Sequence, residues 1–108
     1  MKKKIRPPGH LTKEAKEIWT EILTEYSIDD AAGLRILRVS LEAFDRWQAA
    51  RTAIDRDGLT VIDKAGQVKS HPLLPIERDS RAAFLAGLKG LNLDLEPLRS
   101  GPGRPAGR

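Results

Sequence analysis

Two histidines, fifteen acidic residues and no cysteine set the chemistry open to this 108-residue chain. His10 follows a Pro-Gly turn, and His71 stands directly before Pro72. Neither has a histidine, cysteine or carboxylate at the spacing that metal ligands need. A structural duty such as capping a backbone group is therefore expected of His71. No serine lies in a nucleophile elbow. Gly101-Pro102-Gly103 looks superficially like a phosphate-cradling loop. It has no strand before it, no helix after it and no Gly-Lys-Ser/Thr ending, so it is not read as one. The expectation is a protein without catalytic residues, cofactor or metal.

The cations are more informative, because they are unevenly placed. Lys2, Lys3, Lys4 and Arg6 occur within the first ten residues, which contain no acid. Arg99, Arg104 and Arg108 occur in the last twelve, also without an acid. The net charge of +4 thus comes from the two ends, and the intervening body is slightly acidic. Basic ends on such a body suit a polyanion such as DNA or RNA. The first four cations can neutralise phosphates with little sequence preference. Pro102-Gly103-Arg104-Pro105 has the form of an extended arm that sets arginine into a minor groove.

Three helices and one hairpin must carry these ends. Residues 1–10 read as a basic flexible arm, stopped by Pro7-Pro8-Gly9. Thr12 is placed to cap a first helix, about 12–26, with Ala15, Ile18, Trp19, Ile22, Leu23 and Tyr26 at helical spacing. Its other face bears Glu14, Glu17, Glu21 and Glu25, most simply a solvated face. Asp29 or Asp30 caps a long second helix, about 31–56. That helix has two apolar stripes: Leu34, Leu37, Leu41 and Phe44, then Ile36, Ala43, Trp47, Ala50 and Ile54. One stripe suits the first helix; the other needs the third helix or another subunit. On its polar face, Arg38–Glu42 and Glu42–Arg46 are spaced to pair. Gly58 ends it.

Leu59–Asp63 and Gln67–His71 then read as strands of a hairpin around Lys64-Ala65-Gly66. Such a hairpin must lean on the helices or pair with a neighbour. A third helix, about 74–91, begins near Pro75. The expected fold is mainly α: a three-helix core with a long central helix and a short β-hairpin between helices two and three. The body spans 11–96 and includes the hairpin, about 59–71. Residues 97–108 form a Gly/Pro-rich basic tail, expected to be disordered without a partner. No apolar run is long enough to span a bilayer, and the basic start lacks the apolar segment of a secretory signal.

The order of these features resembles that of the small terminase subunits of tailed bacteriophages. Pro8-Gly9-His10-Leu11-Thr12 leads into a helix with Trp19. Tyr26 and the Asp29-Asp30 turn precede a long helix through Leu34, Leu41 and Asp45. Gly58, the hairpin, His71-Pro72, a helix with Arg78, and Leu91-Asn92-Leu93 before Pro97-Leu98-Arg99 complete the pattern. One departure is Asn92, where that family more often has glycine and a shorter step to the proline. The resemblance implies a non-enzymatic protein in the cytoplasm of a bacterial host. It implies a homo-oligomeric ring that binds double-stranded viral DNA and delivers it to the large terminase subunit, which holds the ATPase and nuclease. On it, Ile36, Ala43, Trp47, Ala50 and Ile54 are candidate subunit contacts. Lys2, Lys3, Lys4, Arg6, Lys13, Lys16 and Arg104 are candidate DNA contacts.

Two other readings start from the same residues. The short turn between helices one and two suits a helix-turn-helix regulator, although helix two is long for a recognition helix and its polar face is charge-balanced. The acidic stripe on helix one suits a protein–protein adaptor with no DNA role. A footprint on one short operator would mark the first. A partner held at high salt, without any DNA shift, would mark the second.

Overall fold

The computed structural model describes residues 5–93. Helix α1 runs Lys13–Glu25, helix α2 Ala31–Asp57 and helix α3 Leu74–Gly90, with strands β1 (Thr60–Ile62) and β2 (Val68–Ser70) between α2 and α3. This is the expected mainly helical fold, with the hairpin where the sequence put it.

Each helix starts and stops for a local reason. The Thr12 hydroxyl accepts from the Ala15 N–H, and the Asp30 carboxylate accepts from the Gly33 N–H at 2.9 Å, which satisfies donors left open at each N-terminus. Gly58 ends α2 with φ +91°, a conformation in which a Cβ is unfavourable. Asn92 ends α3 at φ 61°. Its N–H reaches the Lys89 carbonyl and the Leu93 N–H reaches that of Leu88, which closes the last turn as a Schellman motif. Leu93 is buried behind it.

Helix α2 is covered on two sides. Leu37, Leu41 and Phe44 join Leu11, Ala15 and Trp19 in one buried cluster under α1. Burial of each large side chain there contributes about 1.5–3 kcal/mol. The neighbouring side of α2 packs along α3. Phe44 is shared between the two: its ring lies 5.7 Å from Trp47 and 5.3 Å from Phe84, edge-on to the first. The helices approach closely where Gly87 meets Ser40: a Cβ on Gly87 would collide with the Ser40 hydroxyl. That hydroxyl donates to the Ile36 carbonyl of its own helix, so it needs nothing from α3.

The hairpin stands apart from this core. Its strands are antiparallel, with Thr60 opposite Ser70, Val61 opposite Lys69 and Ile62 opposite Val68. Asp63 organises the turn: its carboxylate accepts from the backbone N–H groups of Ala65 and Gln67 and pairs with Lys69 at 3.2 Å. Ile62 and Val68 remain 71% and 68% exposed, so the face they share is not covered by the helices, while Val61 on the other face is half-buried.

The α2–α3 crossing makes a testable contrast. Gly87→Ala raises helix propensity but overpacks the contact with Ser40, and the second effect prevails. A loss of about 1–3 kcal/mol is expected by urea unfolding. Gly90→Ala meets open space. It should be neutral or stabilising by up to about 1 kcal/mol.

Candidate functional site

The N-terminal segment is held to the body more firmly than a free arm. Trp19 donates its indole N–H to the Ile5 carbonyl at 3.0 Å, and Ile5 packs against the core. His10 bonds to Glu42 at 2.7 Å. The backbone N–H and hydroxyl of Thr12 both donate to Asp45. Residues 5–12 are therefore tied to α1 and α2, whereas flexibility was expected up to residue 10. The tie is made by side chains far apart in sequence, which no local pattern announces.

This attachment sets where the candidate phosphate contacts stand. Arg6 is exposed beside Pro7, Lys13 is exposed in the first turn of α1, and Lys16 is half-buried one turn on. Lys2, Lys3, Lys4 and Arg104 lie outside the described residues. Arg46 adds an exposed cation at the same end, because Asp45 is bonded to Thr12. It was expected to pair with Glu42. Glu42 instead takes Arg38 at 3.3 Å together with His10, and Arg46 has no ion pair among the described residues. Those contacts, the His10 bond first, hold the Glu42 carboxyl below its usual range. Glu14, Glu17, Glu21 and Glu25 are all exposed along α1, as the solvated-face reading requires.

The residues proposed for subunit contacts fall differently. Ala43, Ala50 and Ile54 are only 3%, 3% and 8% exposed within the single chain. Trp47 is half-buried and donates to Glu77 of α3 at 3.0 Å. Ile36 keeps a surface at 37% exposure. The second stripe of α2 is thus largely covered by α3 of the same chain. Three of the five residues have little area left to offer a second copy. Of the two covers the sequence allows, α3 or another subunit, α3 of the same chain takes most of the stripe.

His71 has the structural duty expected of it, in a more specific form. It is 4% exposed, at the junction of α2, the hairpin and α3. Its Nδ1 accepts from the Leu73 N–H at 3.0 Å, which makes Nε2 the protonated nitrogen in the neutral ring. Nε2 then donates to the Asp57 carboxylate at 2.9 Å. Asp57 also holds Arg56 in a two-point contact, and these bonds, Arg56 first, depress its pKa strongly. One imidazole thus fastens the end of α2 to the start of α3, and α3 has no side-chain cap of its own. No nucleophile adjoins the His71–Asp57 pair in these contacts.

Among the described residues, no group of three or more histidine, cysteine or acidic side chains converges to hold a metal. No described helix is long and apolar enough to cross a membrane. An open cleft lies between the N-terminal segment and the α1–α2 turn, walled by Arg6, Pro7, Thr24, Tyr26, Ile28 and Asp29. No protein-family model matches the chain, and no curated protein or solved structure is significantly similar to it.

Two measurements probe these contacts. His71→Asn keeps an acceptor near the Nδ1 position, and His71→Gln keeps a donor near Nε2. Each should lose about 1–2 kcal/mol in urea unfolding, and His71→Ala about 2–4 kcal/mol. Glu42, Asp57, Asp63 and Glu77 all have lowered pKa values in the fold. Stabilisation from a lowered carboxylate is complete above its ordinary value, 3.8 for Asp and 4.5 for Glu, and is lost as pH falls through the folded value. The Tm contribution of these four groups should therefore be level near neutrality and fall on acidification below those values. Replacing all four with amides should flatten that acid limb.

Proposed function

We propose that the chain is a non-catalytic small terminase subunit. In this reading it binds viral double-stranded DNA, assembles as a ring and passes the DNA to the large ATPase and nuclease subunit. The observation that carries the proposal is the ordered set of residues that resembles that family, now read against the fold. Those residues occupy its junctions. Leu11 is in the core, Thr12 caps α1 and holds α2, and Asp30 caps α2. Gly58 ends α2, His71 joins α2 to α3, and Leu91-Asn92-Leu93 closes α3. The departure at Asn92 fits the same logic. Its φ of 61° is a left-handed position that glycine usually fills and asparagine sometimes does.

DNA contact in this proposal belongs to Lys2, Lys3, Lys4 and Arg6, with Lys13 and Lys16 beside them and Arg104 in the tail. The body supports that division, since its longest helix is sandwiched and its α1 face is acidic. The helix-turn-helix alternative draws less support. A recognition helix must leave one long side free for the major groove. Helix α2 does leave one, along Arg35, Arg38 and Arg46, but it runs 27 residues, well beyond a usual recognition helix, and Arg38 on that side is paired with Glu42.

The test keeps Ile5, which the body needs, and replaces Lys2, Lys3 and Lys4 with glutamine. Binding of long duplex DNA should weaken across sequences. The slope of log K against log salt should become shallower by about 2–3, since each phosphate contact contributes about 0.9. An unchanged slope would remove these lysines from the interface.

A further inference from the structure

We infer that the free edge of β1 is a self-recognition site, at which the strand pairs antiparallel with β1 of a second copy about a two-fold axis through Val61. The hydrogen-bond phase of the hairpin fixes which backbone groups its open edges present. The His71 N–H donates to the Leu59 carbonyl, and the Asp63 N–H donates to that of Gln67. With Val61 opposite Lys69, these bonds fix residues 59, 61 and 63 as the ones whose backbone faces β2. The N–H and C=O groups of Thr60 and Ile62 therefore point away from β2, off the open edge. Those of Val68 and Ser70 point off the other edge.

The two edges differ in charge. Lys69 sits at the centre of β2, so two β2 strands paired antiparallel about it would set lysine against lysine. A charge in the middle of a short strand is a common guard against such pairing. Strand β1 reads Thr-Val-Ile and has no guard. Paired with its own copy about Val61, it sets Thr60 opposite Ile62 of the second copy, twice. Both residues then use their outward groups, giving four backbone hydrogen bonds. Val61 meets its counterpart in the close, non-hydrogen-bonded type of pair, where two β-branched side chains pack well.

The exposed apolar residues point the same way. Thr60, Ile62, Val68 and Ser70 lie on one face of the hairpin, and Ile62 and Val68 are more than two-thirds exposed. A two-stranded hairpin with that face in water is marginal, whereas a four-stranded sheet is not. Pairing through β1 doubles the sheet and brings the two uncharged faces side by side. The contact is isologous and closes on itself. It is separate from the head-to-tail surface that a ring needs, and it does not rest on the DNA-packaging reading.

The test is a charge swap at the axis, read by sedimentation equilibrium without DNA. The wild-type chain should associate in multiples of two at concentrations up to about 0.5 mM, as suits a small interface. Val61→Glu and Val61→Lys should each weaken association roughly tenfold or more, because like charges then meet at the axis. An equimolar mixture of the two should restore it as a mixed pair, which a merely misfolded variant would not do. Lys69→Gln should leave it unchanged. Association of Val61→Glu equal to wild type would overturn the proposal and assign the β1 edge to the neighbour's β2, where Glu would face Lys69. A mixture no tighter than either variant alone, or a wild type that does not associate, would also overturn it.

Discussion

Helix α2 has more apolar surface than one neighbour can cover, and the rest of the chain is arranged around that fact. Its Leu37, Leu41 and Phe44 side requires α1, and its Ala43, Ala50 and Ile54 side requires α3. The close approach of α3 depends on having no side chain at Gly87 where Ser40 lies. Once both helices are in place, their ends must be held. Thr12 with Asp45 holds the start of α1 to α2, and His71 with Asp57 holds the start of α3. These ties are polar and geometrically specific, whereas the interior is mostly aliphatic and aromatic. The interior supplies most of the stability, and the ties fix the order in which the elements stack.

A sandwiched α2 also constrains function. The two sides it buries are unavailable to DNA or to another subunit. What remains exposed is the acidic face of α1, a third side of α2 with Arg35, Arg38 and Arg46, the hairpin, and Arg6 in the N-terminal segment. Arg51–Asp55, Arg56–Asp57, Arg78–Asp79 and Arg81–Glu77 all pair on the surface. Exposed pairs of this kind contribute little to stability, but they neutralise the body. Among the described residues, Arg6, Lys13 and Lys16 at the N-terminal end have no ion pair, nor do Arg35 and Arg46 on α2, Lys64 in the hairpin and Lys89 on α3. In the proposed function the N-terminal segment contacts DNA and the helical body supports it.

Much of the fold was legible because its signals are local. The Thr12 and Asp30 caps, the glycine at 58, the loop around Gly66 and the helical spacing of Trp19, Leu37 and Leu41 each depend on a few neighbouring residues. Less of the candidate site was legible, because it depends on contacts between distant residues. Periodicity showed that α2 has two stripes but not whether α3 or a second chain covers the second. The N-terminal segment looked free because the partners of Ile5, His10 and Thr12 lie on other elements. Spacing offers Glu42 both Arg38 and Arg46; it takes Arg38 and, from thirty-two residues away, His10. The hairpin's need for support was readable, but the difference between its two edges emerged only with the strand register.

The central claim is that a basic N-terminal segment on this body engages duplex DNA while copies of the chain assemble. Native mass measurement of the purified chain, alone and with duplexes of two lengths, tests both halves together. The account predicts a multi-chain assembly that gains the mass of intact duplex, binds the longer one more tightly and releases it as salt rises. A chain that stays monomeric at tens of micromolar and whose mass is unchanged by DNA at low salt would contradict it.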